Sequence, residues 1–206
     1  MHPNPIFHKT PESRSLAFAR DRGFGVLAVS SDGAPMLSHI PFLLAESGGH
    51  ALLHLVRSNP ICRACGDGIA ARLDVLGPDG YVSPDWYGVD DQVPTWNYVA
   101  VHVLGRLVPL AHERIEEVLE AQSAAYESRL PKAPWTMDKM SAEAKARMLR
   151  QILPFRFEIE TVDATWKLNQ NKDDAVRHRA ADHIQGSIGT GLTALQALMR
   201  HPPDRE

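Results

Sequence analysis

Three groups of residues in this chain carry more polar and aromatic side chains than a structural strand or loop requires. The first is Ser38-His39-Ile40-Pro41, set inside the apolar run MLSHIPFLL (Met36–Leu44). In a strand, Ser38 and Ile40 point one way and His39 and Pro41 the other, so the group reads either as a site or as an exposed face. The second is HLVRSNP (His54–Pro60), where Arg57, Ser58 and Asn59 sit as a strand runs out into a helix start. Backbone N–H groups there, joined by a guanidinium and a hydroxyl, suit a phosphate. The same residues also spell an ordinary helix cap, with Ser58 or Asn59 as N-cap and Pro60 in the first turn. The third group pairs Gly80–Gly105 with Trp166–Lys172. Tyr81, Trp86, Tyr87, Trp96 and Tyr98 crowd into the first of these segments, beside Thr95, Asn97 and His102, in a chain only 7% aromatic. Planar rings beside such groups suit a flat heteroaromatic ligand, and equally a core or a subunit interface. Lys167, Gln170, Asn171 and Lys172 add cations and amides that read as a ligand rim or as a polar loop.

Familiar catalytic signatures are missing: there is no G-x-S-x-G, no G-x-x-x-x-G-K-[ST], no H-E-x-x-H and no strand–G-x-G-x-x-G–helix unit. The glycines of Gly186–Gly191 have the wrong spacing for a dinucleotide fingerprint and read as a hinge between helices. Cys62 and Cys65 form a lone C-x-x-C with no second pair, and His178 and His183 lie far downstream. Two thiols on a short helix are expected there rather than a redox or metal pair, and no metal site is expected.

These residues need a β-rich scaffold. Pro11–Asp21 reads as a short helix stopped by Gly23. Phe24–Ser30, Met36–Leu44 and His50–Val56 form three strands joined by turns at Ser31-Asp32-Gly33 and Ser47-Gly48-Gly49. Asn59–Cys65 is a helical turn, Ile69–Leu76 a fourth strand, Gly77-Pro78-Asp79-Gly80 a turn, and Tyr81–Ser83 the start of a fifth strand that Pro84 interrupts. Thr95–Pro109 is a long sixth strand. Ala111–Arg129 then switches to a helical period, Pro131–Pro134 breaks it, and Ser141–Leu149 is a second helix with Ser141 as N-cap. Phe155–Val162 alternates and is expected to close a barrel; Lys167–Lys172 is loop; Asp173–Arg200 holds two short helices.

Composition narrows the class. Hydrophobic residues at 44% and charged residues at 23% are ordinary globular usage. A formal net charge of −3, with 22 scattered Lys and Arg, gives no basic stripe for nucleic acid. No apolar run approaches the roughly 20 residues of a membrane span, so no membrane partner is expected. Met1-His2-Pro3-Asn4-Pro5 has neither a charged n-region nor an apolar h-region, and a cytoplasmic location is expected.

GPDGYVSPDWY (Gly77–Tyr87), VPTWNYVAVHVLG (Val93–Gly105) and WKLNQNK (Trp166–Lys172), with HLVRSNP and SHIPFLL upstream, resemble the PaiB-type family of FMN-binding negative transcriptional regulators. The likeness runs from about residue 5 to residue 195. It implies an α+β fold, an FMN-binding split β-barrel like that of the pyridoxamine-phosphate-oxidase-like flavoproteins, mostly antiparallel with six to seven strands. Peripheral and C-terminal helices surround it. Residues 1–170 would form the split-barrel domain and residues 171–206 a C-terminal helical extension packed on it. It further implies a homodimer with a shared FMN site. In that site Ser38, His39, Ile40 and Pro41 run along the flavin, Arg57, Ser58 and Asn59 hold the phosphate, Thr95, Trp96 and Asn97 approach the ring, Lys167, Gln170 and Asn171 close it, and His54 is a further cofactor-binding residue. The implied role is a negative transcriptional regulator or flavin-dependent sensor; the alternative is a flavin-dependent oxidoreductase acting on a small substrate. Two departures stand out. Cys62 and Cys65 break the family pattern, and no helix-turn-helix is legible for DNA.

Overall fold

Strand alternation places Leu37, His39, Pro41 and Leu43 on one face of MLSHIPFLL and Ile40, Phe42 and Leu44 on the other, and the Ile40–Phe42–Leu44 face is the buried one. The computed structural model describes residues 2–31 and 33–203. Asp32 of the expected Asp-Gly turn lies outside the described residues. The strands are β1 (Phe24–Val29), β2 (Met36–Leu44), β3 (His50–Val56), β4 (Ile69–Val82), β5 (Thr95–Pro109), β6 (Ile152–Lys167) and β7 (Gly189–Thr190). The helices are α1 (Glu12–Arg22), α2 (Pro60–Cys65), α3 (Ile115–Glu127), α4 (Ala142–Leu149), α5 (Asp174–His183) and α6 (Leu192–Arg200). The strands pair in the order β1-β2-β3-β6-β5-β4-β7, and β1 also pairs β4, which closes a six-stranded barrel with β7 added outside the ring. The result is the α+β, antiparallel barrel architecture expected.

The chain forms two compact units: Met1–Ala17, Val75–His102 and Val162–Glu206 make one, and Phe18–Asp74 with Val103–Thr161 the other. In the second unit β1 lies antiparallel to both β2 and β4, with Leu27 opposite Ser38 and Leu73, and β3 pairs antiparallel with β6. Leu27, Phe42, Leu53, Leu73, Leu107, Phe155 and Phe157 fill its core. Gly105 is needed on β5 because a Cβ there would stand 1.9 Å from the Glu158 carbonyl oxygen. Helix α3 turns Ile115, Val118 and Gln122 inward. In the first unit Tyr87, Trp166, Leu168, Ala181, Ile184 and Leu195 form the core.

Three expectations need correcting. Gly77–Gly80 is no turn: β4 runs straight through it as one 14-residue strand. Asp79 and Gly80 pair with Thr190 and Gly189, the Asp79 carboxylate accepts from the Thr190 hydroxyl at 2.7 Å, and Gly80 leaves room for Leu195. The turn residues were recruited to a ladder by a partner far along the chain. That partner, β7, lies in the segment read as a plain hinge. Finally, β6 extends to Lys167 and sits between β3 and β5, so the closing pair is β1 with β4.

Candidate functional site

Each unit gathers its own share of the expected site residues. In the unit holding β1–β3, the chain leaves β3 at Val56 and must start α2 within a few residues. Asn59, in extended conformation, does this: its Oδ1 accepts from Ile61 N at 3.0 Å and Pro60 follows at the first helical position. The cap reading of these residues is therefore realised, and the first-turn backbone donors are already engaged, with Cys62 N bonded to Asn59 O. The Asn59 Nδ2 donates to Ser38 Oγ on β2 at 3.0 Å, tying Ser38 and Asn59 together. Arg57 is exposed; its Nε donates to the Arg150 carbonyl at 3.0 Å, which leaves the Nη groups without a protein partner among the described residues. Ser58 and His39 are exposed as well, while Ile40 is in the core and contributes backbone only.

His54 stands apart from that cluster. Leu53 and Leu55 point into the core, so His54 faces outward and meets α3, where its Nδ1 lies 2.9 Å from Gln122 Oε1. Gln122 is only 4% exposed, and its Nε2 donates to the Leu52 carbonyl at 3.1 Å and reaches the Pro41 carbonyl at 3.5 Å. One turn on, the Tyr126 hydroxyl lies 2.6 Å from the Phe42 carbonyl and 2.9 Å from that of Gly23. Reading motifs alone misses Gln122 and Tyr126. Their signal is a pair of polar-tipped residues at i and i+4 on the stripe that also holds Ile115, Val118 and Leu119. Burial pushes the Tyr126 hydroxyl up and the His54 imidazole down from their ordinary values.

The aromatic group belongs to the other unit, and its two open readings divide. Tyr87 is core, with its hydroxyl 3.4 Å from Asn169 Oδ1. Trp166 is core too, its Nε1 donating to Ser15 Oγ at 3.1 Å. Trp96 is 45% exposed, with Tyr81 edge-on at 6.2 Å, and Trp86 stacks on His183 at 5.9 Å. Between Trp96 and Tyr98, Asn97 is fully buried, and neither atom of its amide has a partner among the described residues. Lys167, at the end of β6, donates to Thr95 Oγ1 and stands 6.0 Å over the Phe7 ring; burial pushes its ammonium down. Gln170 accepts from Leu168 N and donates to the Trp166 carbonyl, which shapes the loop in which Asn169 takes a left-handed φ of 63°. Asn171 is exposed, and the Lys172 ammonium lies 4.2 Å over the Tyr87 ring.

Cys65 is buried and Cys62 half-buried, both as free thiols, and burial pushes both up from the ordinary thiol value. Among the described residues no group of three His, Cys, Asp or Glu side chains could hold a metal ion, and no helix is long and apolar enough to cross a membrane. What the residues do supply is a guanidinium and a hydroxyl free for an anion in one unit. In the other they supply an exposed indole, a half-buried ammonium and an unpaired amide.

The family described as "Putative FMN-binding domain" matches residues 1–161. The "Protease synthase and sporulation protein PAI 2" of Bacillus subtilis is 28% identical over 202 residues, 95% of this chain and 95% of that protein. Among solved structures, the FAD and heme binding protein of Mycobacterium smegmatis superposes with a TM-score of 0.57 at 18% identity, over 81% of this chain and 76% of that one. The conserved hypothetical protein Rv2991 of Mycobacterium tuberculosis gives a TM-score of 0.56 at 12% identity, over 84% of this chain and 94% of that one. At these identities the two structures speak for the split-barrel fold alone.

Proposed function

Since the chain belongs to the family of FMN-binding domains, and within it to the PaiB type, we propose that it acts as an FMN-dependent negative regulator of transcription, working as a homodimer. The observation that carries this reading is the likeness to the Bacillus subtilis sporulation protein along 95% of both chains. FMN is the cofactor, and its isoalloxazine supplies reversible one- and two-electron redox chemistry when bound.

The residues present fit such a group. Arg57 Nη and the Ser58 hydroxyl are uncommitted donors suited to a phosphate, and since the first turn of α2 is self-capped, the side chains carry that role. The unpaired Asn97 amide, able both to donate and to accept, matches the alternating donors and acceptors along a flavin ring edge. Thr95 steers the Lys167 ammonium, and Trp96 offers an open face for stacking. Ser38 positions Asn59, and Gln170 holds the loop that carries Asn171. A dimer is supported by exposed apolar side chains in each unit: Phe24 and Leu37 in one, Val93 and Trp96 in the other. The formal charge of −3 offers no bulk attraction to DNA, so the contact this reading needs would run through a local patch.

Two measurements test the reading. Arg57→Ala is expected to weaken FMN about 10- to 100-fold, the worth of a charge-assisted hydrogen bond, while riboflavin, which lacks the phosphate, changes less than about twofold. Equal losses for the two flavins remove Arg57 from the phosphate. Electrophoretic shift of DNA from upstream of its own gene, with FMN-loaded protein, should weaken as salt rises. No shift at low salt ends the regulator reading.

A further inference from the structure

Helix α3 and side chains between Trp135 and Ile152 line a half-open pocket of about 310 Å³, and none of the residues proposed for FMN except His54 borders it. Its walls are mostly apolar, with Trp135, Met137, Met140 and Met148 prominent among them, and the Lys145 ammonium at its margin is already paired with Glu116. Thioether and indole walls adapt to flat apolar guests, and this volume lies at the lower end of the range for small-molecule sites, about 300–1,000 Å³.

His54 gives the pocket a directed polar group. Gln122 Nε2 faces two carbonyls, Leu52 and Pro41, which can only accept, so the amide oxygen must be the atom turned to His54. An oxygen there can only accept, so His54 Nδ1 carries the ring proton. Nε2 is left as a bare acceptor with no protein partner among the described residues. Burial holds the imidazole below its ordinary pKa, which keeps that lone pair available at neutral pH. Backbone carbonyls on β2 and β3 thus dictate, through one buried amide, which tautomer this histidine presents.

We propose that this pocket is a second ligand site, taking a small ring compound of one or two fused rings that donates a single N–H or O–H to His54 Nε2. Indole is the probe, and benzofuran, of the same shape without the N–H, is its control. Full-length protein labelled with ¹³C at the methionine methyls reports the location, because Met36 and Met199 lie outside the pocket lining. Indole should move the Met137, Met140 and Met148 resonances and leave Met36 and Met199 in place. Benzofuran should bind about three- to tenfold more weakly, the value of one hydrogen bond. In His54→Phe the two probes should bind within about twofold of each other. If that variant does not fold, the His54 ¹⁵N spectrum of the unaltered protein decides: the Nε2 resonance should move with indole and not with benzofuran. Still resonances for the three methionines, equal affinity for the two probes, a preference that survives His54→Phe, or an unmoved Nε2 would each overturn the proposal.

Discussion

Replacing Gln122 should cost this protein far more than a helix-surface glutamine normally does. The side chain is 4% exposed and links β3, β2 and His54 in a single network. Gln122→Met keeps most of the volume but leaves the His54 Nδ1–H facing a thioether, a desolvation loss of about 1–3 kcal/mol, and forfeits the bond to Leu52, about another 1 kcal/mol. Gln122→Ala adds a cavity where the side chain ends stood, for a total near 4 kcal/mol. For a chain of this length each kcal/mol lowers the midpoint by about 2–4 °C. Gln122→Met should therefore melt about 5–10 °C below the parent, and Gln122→Ala lower still. Thermal melts followed by circular dichroism, with urea midpoints as a check, measure this. A Gln122→Met protein within about 0.5 kcal/mol of the parent, the scatter of a neutral surface change, would refute the network and the tautomer argument built on it.

Gly105→Ala is expected to lose 4 kcal/mol or about that, because the new Cβ stands 1.9 Å from a backbone oxygen that cannot step aside; little soluble protein should result. Gly80→Ala meets a Leu195 methyl at 2.8 Å, which can rotate away, so a cost of about 1–2 kcal/mol is expected and a melt distinguishes the two. His54 makes stability pH-dependent. Its folded pKa is held below the ordinary 6.5, so between the two values the unfolded chain binds more protons than the folded one. The contribution is complete above pH 6.5 and drains away as pH falls through the lower, folded value. Urea midpoints at neutral and mildly acidic pH should differ less in His54→Phe than in the parent.

What could be read from the chain was whatever neighbouring residues decide among themselves. Alternation in β1, β2 and β3, the Asn59–Pro60 start of α2 and the Ser141 cap of α4, whose Oγ accepts from Ala144 N, all depend on side chains within a few positions. The segments proposed for the flavin site stood out in the same way, as short runs of unusual composition with a family likeness. Folding decided the rest, because there the deciding partner lies far off in sequence. Pro78, Asp79 and Gly80 have turn chemistry, yet Thr190 and Leu195 hold them extended. Of five crowded aromatics, Tyr87 alone was drawn into the core while Trp96 stayed open, which no spacing rule separates. His54 sits three residues from Arg57 and reads as part of the same group. One strand residue is enough to point it to the opposite side, and Gln122, reaching from α3, then determines which nitrogen it offers.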